Sequence, residues 1–128
     1  MIGEVKMNLA EYFEKADGIG VLATSDKSGN VDIAMYATPH VVDENTIAFI
    51  MRDRLSHNNV LTNPKAAYLF KENIAGYHGK RLYLTMISEE TDPSKIAQVR
   101  RKAHGDNDQE KQFLVNFRID SVRPLVGD

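Results

Sequence analysis

Residues 32–71 have the sequence DIAMYATPHVVDENTIAFIMRDRLSHNNVLTNPKAAYLFK, and this stretch decides the fold. Short apolar segments lie between turn residues, and runs of β-branched and aromatic residues bounded in this way predict strands. A basic loop and a short polar segment that can begin a helix separate the second apolar segment from the third. The predicted order is strand, turn, strand, basic loop, helix and strand.

The sequence on either side continues this pattern of short strands with brief helices. It favours a mainly β (α+β) fold, a six-stranded, closed or nearly closed barrel with short helices at its ends. A doubly wound sheet is excluded because it needs a helix between nearly every pair of strands. The predicted strands cover residues 19–24, 31–38, 46–51, 66–70, 81–87 and 113–119, and the predicted helices cover 9–16, 56–62 and 93 or 94 to 103.

The composition is that of an ordinary globular protein. The chain has 128 residues, of which 42% are apolar and 27% charged, and its net charge is −2. This length predicts a single domain, 1–128, with a sizeable core. The small negative charge argues against a nucleic-acid partner. The sequence contains no cysteine, which excludes disulfides and thiolate chemistry.

Neither export nor membrane insertion is expected. No apolar run approaches the roughly 20 residues that a membrane-spanning helix requires. The first residues, MIGEVKMNLAEYFEKADG, lack the basic start and apolar centre of a signal peptide. We therefore expect a cytoplasmic protein with no membrane partner.

The basic loop is the candidate functional site. Arg52 and Arg54 precede a predicted helix with Ser56 as its N-cap. Guanidinium groups bind phosphate oxygens bidentately, and the first turn of a helix offers unpaired N–H groups at the positive end of its dipole. The ring of His57 is easily charged near neutral pH. The pattern predicts a phosphate site, and the alternative is a solvated loop with a routine helix cap.

Several of these segments together resemble the pyridoxamine-phosphate-oxidase-like, FMN-binding split-barrel superfamily. The resemblance covers nearly the whole chain, and its most specific part is the helix and strand NNVLTNPKAAYLF after an apolar strand. The other matching segments are the opening helix, GIGVLATSD, KSGN, VDIAMYATPHVVDEN, TIAFIM, the loop that begins with RDRLSH, and FLVNFRIDSVRPLVGD.

The resemblance implies a homodimer that binds FMN at the subunit interface. The backbone of residues 33–36 would lie along the flavin ring, two residues of the next strand would pack against it, and the basic loop would hold the phosphate. The cofactor-binding residues implied in this way are Ile33, Ala34, Met35, Tyr36, Ile50, Met51, Arg52, Arg54, Ser56, His57 and Asn59.

Two departures from the family pattern bear on function. Many members carry a lysine, or an arginine and a lysine, where this chain has Ser56 and His57. Either Arg52 and Arg54 compensate, or the cofactor binds weakly or is a different one. Pyridoxamine-phosphate oxidases also carry a C-terminal segment with substrate-binding Arg and His, whereas this sequence ends after its last predicted strand. We therefore expect an activity other than vitamin B6 oxidation.

The resulting hypothesis is an FMN-dependent oxidoreductase acting on an unknown small molecule. No nucleophile–base arrangement is recognisable, so the catalytic residues stay unassigned, and this fits chemistry that the cofactor carries. The spacing of the four histidines matches no metal-ligand pattern, so no metal site is predicted. The alternatives are the deazaflavin F420 or haem in place of FMN, a non-catalytic flavin carrier, and a cofactor-free interaction module.

Overall fold

An antiparallel sheet with three short helices forms the frame of the protein in the computed structural model, which describes residues 8–100 and 110–127. The helices are α1 (Leu9–Lys15), α2 (Leu55–Thr62) and α3 (Pro93–Val99). The strands are β1 (Gly18–Ser25), β2 (Val31–Met35), β3 (His40–Asp43), β4 (Thr46–Arg52), β5 (Lys65–Glu72), β6 (Gly79–Glu90) and β7 (Gln112–Pro124).

The seven strands form one sheet in the order β2-β1-β5-β6-β7-β4-β3. Strands β2 and β3 lie at opposite ends of this order, although they are consecutive in the chain. The segment between them must therefore cross from one edge of the sheet to the other, which is possible only if the sheet curls into a barrel that is open between these edges. The predicted mainly β split-barrel class is confirmed.

The strand count differs from the predicted six. One strand was expected over residues 31–38, but β2 ends at Met35 and a separate strand, β3, begins at His40 and pairs with β4. Pro39 lies between them and is fully buried. Proline has no N–H to donate to a ladder, so a strand cannot continue through it in the interior of a sheet. Pro39 therefore separates two strands that lie on opposite edges of the sheet.

The helices differ from the predicted ones mainly at their ends. Helix α2 begins at Leu55, and the extended Arg54 occupies the N-cap position without a side-chain cap hydrogen bond, so the prediction of Ser56 as N-cap was wrong. Helix α3 ends at Val99, and the predicted extension to Ala103 lies outside the described residues. None of the helices in the described parts of the chain is long and apolar enough to cross a membrane.

The core is unusually aromatic around Tyr68 on β5. The Tyr68 ring is fully buried, and its centroid lies 4.9 Å from that of Phe49 on β4 and 6.4 Å from that of Phe13 on α1. Its hydroxyl donates to the backbone oxygen of Ala37 at 3.0 Å and reaches that of Tyr36 at 3.3 Å. A β-strand side chain therefore holds the crossover between β2 and β3 in place.

This arrangement requires a glycine at position 20. A Cβ atom on Gly20 would lie 1.9 Å from the Tyr68 hydroxyl and 2.6 Å from the backbone oxygen of Tyr36. We expect Gly20→Ala to lower the free energy of unfolding by about 2 kcal/mol, because overpacking displaces both groups. Urea unfolding followed by circular dichroism measures this loss.

Tyr68→Phe provides the matched test of the cause. Alone this change should lower the free energy of unfolding by about 1 kcal/mol, because the hydrogen bonds of the hydroxyl are lost. Combined with Gly20→Ala it should cost less than the sum of the two single changes, because part of the clash disappears with the hydroxyl. Additive losses, or no loss from Gly20→Ala, would contradict this account.

Candidate functional site

A cleft of about 420 Å³ opens beside the crossover, between β2, the end of β4 and the start of α2. Its volume lies in the range of about 300–1,000 Å³ that is usual for small-molecule sites. One wall is largely apolar and comes from the two strands, and the rim where β4 leads into α2 is basic. The cleft is lined by Asp32, Ala34, Met35, Tyr36, Ala37, Ile50, Arg52, Arg54, Leu55 and Ser56.

Most of the predicted cofactor-binding residues meet in this cleft. Ala34, Met35, Tyr36 and Ile50 belong to the strand wall, and Arg52, Arg54 and Ser56 lie at the basic rim. The sequence analysis did not select three further lining residues: Asp32, Ala37 and Leu55. The first could have been found from the period of two along a strand, because Asp32 shares a face of β2 with Ala34.

Two predicted residues on the strands point elsewhere. Ile33 alternates with Ala34, so its side chain leaves the opposite face of β2, where it is 70% exposed. Met51 alternates with Ile50 and is buried in the main core at 1% exposure. The side chains of these residues do not line the cleft, and a role in binding would have to involve their backbone.

His57 and Asn59 hold α2 against the barrel. His57 is 3% exposed, donates from Nε2 to Oε1 of Glu89 on β6 at 2.7 Å, and stacks on Phe113 with ring centroids 3.8 Å apart. The buried Asn59 donates from Nδ2 to Oγ1 of Thr24 on β1 at 3.0 Å. Both side chains face inward from α2, and neither lines the cleft.

Tyr36 is the titratable group of the cleft wall. Burial disfavours the phenolate and raises the pKa of Tyr36, and the nearby Asp32 carboxylate raises it further. The hydrogen bond that Tyr36 shares with Ser56 lowers the pKa and partly offsets these effects. The Tyr36 hydroxyl therefore stays protonated at neutral pH and can donate a hydrogen bond to a ligand in the cleft.

Arg54 makes a bidentate ion pair that the sequence analysis did not anticipate. Its Nε donates to Oε2 of Glu110 at 2.9 Å, and its Nη2 donates to Oε1 at 2.7 Å. Glu110 lies 56 positions further along the chain, so no local pattern could indicate it. The guanidinium at the rim thus donates two hydrogen bonds to one carboxylate, and this is the arrangement in which Arg also binds phosphate.

A phosphate-bearing ligand with an apolar ring system therefore fits the residues present. The strand wall can face a ring, Arg54 already binds an anion of similar shape, and the Arg54 side chain at the N-cap position of α2 makes no cap hydrogen bond. Within residues 8–100 and 110–127, no three His, Asp or Glu side chains are grouped so that they could hold a metal ion.

Known structures share this fold across nearly the whole chain. An FMN-binding protein from Syntrophomonas wolfei superimposes with a TM-score of 0.77 at 18% identity, over 98% of this chain and 89% of that protein. A pyridoxamine 5'-phosphate oxidase-like protein from Lactobacillus delbrueckii gives a TM-score of 0.69 at 19% identity, over 91% and 92%. An F420 reductase gives 0.67 at 15% identity, over 88% and 94%.

These similarities define the class of the fold. The chain has the split-barrel fold of pyridoxamine 5'-phosphate oxidase-like proteins, and the predicted resemblance to them is confirmed. No family model matches the sequence, and no curated protein sequence matches it. At identities this low, the shared fold does not define the chemistry of the cleft.

The pKa of Tyr36 gives a direct test of the cleft geometry. Asp32→Asn should lower this pKa, because a negative charge that disfavours the phenolate is removed. Ser56→Ala should raise it, because a hydrogen bond that favours the phenolate is lost. Alkaline titration of tyrosine absorbance, with the matching Tyr36→Phe variant subtracted in each case, measures both shifts. Shifts of the same sign would contradict the arrangement.

Proposed function

We propose that this protein binds FMN in the cleft and acts as an FMN-dependent oxidoreductase, with residues 1–128 forming one flavin-binding domain. The observation that carries the proposal is the pairing of an apolar strand wall with the oriented guanidinium of Arg54 at a basic rim. The shared fold with FMN-binding proteins supports the choice of ligand.

Each part of the cleft has a role in this proposal. Ala34 on β2, Tyr36 just after it and Ile50 on β4 would face the isoalloxazine ring, and the Tyr36 hydroxyl would be available as a donor to a polar atom of it. Arg52, Arg54 and the first turn of α2 hold the phosphate. His57 and Asn59 contribute by fixing the position of α2. Bound FMN would supply the electron transfer.

The alternative to an enzyme is a passive flavin carrier. A passive flavin carrier would bind FMN equally well but would not be reduced by a nicotinamide donor at a useful rate. Reduction of the bound flavin by NADH or NADPH in the absence of oxygen therefore separates an enzyme from a carrier. An F420 reductase shares the fold, so deazaflavin binding is the second candidate. The visible spectrum of the loaded protein distinguishes bound deazaflavin and bound haem from bound FMN.

Arg54→Ala tests the site of the phosphate. We expect it to weaken FMN binding by about tenfold, because a charge-assisted hydrogen-bond pair is lost. Riboflavin, which lacks the phosphate, should bind with nearly unchanged affinity. Quenching of flavin fluorescence measures both dissociation constants.

Lys27→Ala is the matched control, because Lys27 is an exposed cation in the β1–β2 turn and its removal changes the net charge equally. Equal effects of Arg54→Ala and Lys27→Ala on FMN binding would place the phosphate elsewhere. Failure of the parent protein to bind either flavin would reject the proposed function as a whole.

We also propose that the protein is a homodimer that pairs through the outer face of the barrel. Ile33, Ala23, Ala67 and Tyr83 form one row across β2, β1, β5 and β6, as the registers of these strands show. They line an outer groove of about 320 Å³, and Ile33 is 70% exposed. A continuous apolar surface of this kind is typical of a protein interface. The resemblance implies a second copy as the partner, but it also implies FMN at the subunit interface, whereas this groove and the cleft lie on opposite faces of β2.

Ile33→Glu should shift the dimer to monomer, because a charge would be buried at the centre of the interface. We expect the dimer dissociation constant to rise by at least about tenfold, as measured by sedimentation velocity over a range of concentrations. Ile74→Glu is the control, because Ile74 is also exposed, at 55%, but lies in the β5–β6 loop. A monomeric parent, or equal behaviour of the two variants, would refute this interface.

A further inference from the structure

We infer that Glu110 is a specificity-determining residue of the cleft, because its carboxylate competes with the ligand's phosphate for the guanidinium of Arg54. The inference rests on the proposed function, since it takes the ligand in the cleft to carry a phosphate. It is carried by the two short hydrogen bonds between the side chains, which occupy the Nε–Nη2 edge of the guanidinium.

A phosphate needs the same edge that Glu110 occupies. Carboxylate and phosphate oxygens both bind arginine through two parallel N–H···O bonds, so they are alternatives at one site. The Arg54 side chain is 70% exposed and that of Glu110 is 33% exposed. Solvent reaches the pair, so the carboxylate can leave and return without any unfolding of the barrel.

The contact between Arg54 and Glu110 follows from the register of the sheet. Strands β4 and β7 are antiparallel, and their last matched pair is Arg52 with Gln112. Two residues further out on each side are Arg54 and Glu110, so these residues stand opposite each other where the ladder ends. The pairing therefore follows from the register of two core strands and is not a chance meeting of long side chains.

The consequence is a site that discriminates only modestly between flavins with and without a phosphate. Entry of the phosphate has to displace one carboxylate, and Asp32 places a second negative charge along the same cleft. Both effects oppose a dianion and leave an uncharged ligand unaffected. Two arginines at the rim would otherwise give a stronger preference for FMN over riboflavin.

Glu110→Gln tests the competition, since it removes the charge and keeps the shape of the side chain. We expect the dissociation constant for FMN to fall about fivefold, which corresponds to about 1 kcal/mol, while that for riboflavin stays unchanged. Glu14→Gln, an exposed residue of α1, is the control for net charge. Flavin fluorescence titration of the full chain at fixed ionic strength gives all the constants.

The same change in an Arg54→Ala background shows whether Arg54 transmits the effect. There the gain from Glu110→Gln should shrink to that of Glu14→Gln, because no guanidinium remains to be released. Unchanged FMN affinity in the single variant, or equal tightening of FMN and riboflavin, would overturn the inference while leaving flavin binding intact. Absence of binding of both flavins to the parent and to Glu110→Gln would instead reject the proposed function and the inference with it.

Discussion

The hydroxyl of Tyr68 holds the crossover between β2 and β3, and the cleft depends on this contact. The crossover has to pass over the open side of the barrel, where no ladder connects the two edges of the sheet, so its carbonyl groups need other partners. Tyr68 reaches two of them from the centre of the sheet, and its buried aromatic neighbours fix its ring. Gly20 leaves the space that the hydroxyl needs. The wall residue Tyr36 is thus positioned by the core and not by a loop.

Helix α2 forms the second wall of the cleft, and because this helix is short it has to be anchored to the barrel. Eight residues form a helix that is marginal by itself in water. Its inward side chains are polar, so they need partners from the barrel when they are buried. His57 forms a hydrogen bond with Glu89 on β6, and Asn59 forms one with Thr24 on β1. Two different strands therefore fix the direction of the helix, and the basic rim at its N-terminus is held in a defined place beside the cleft.

The sequence predicts the parts of this site that depend on local periodicity. Alternation along the predicted strand 31–38 is sufficient to place Ala34 and Tyr36 together at the cleft, where both lie, and the basic composition of the loop predicts Arg54 as an anion ligand. The same reasoning fails where a residue's environment comes from distant strands. His57 looks like an exposed polar residue until Glu89 and Phe113 enclose it. Glu110 meets Arg54 only through the register of β4 and β7, which no local pattern reveals. The strand at His40 was missed because four residues offer too little alternation to detect.

The fold and the charges of the cleft decide different questions. A fold shared with an FMN-binding protein and an F420 reductase at identities below 20% does not by itself select the ligand. Selection depends on which side chains meet at the rim. Here Ser56 carries no charge and the buried His57 faces Glu89, so the positive charge that lines the cleft comes from Arg52 and Arg54. Because a carboxylate of the chain already engages one of these arginines, the effective positive charge offered to a ligand is smaller than the sequence suggests. In the proposed site, affinity for a phosphate would therefore depend on competition within the protein as well as on the number of its basic residues.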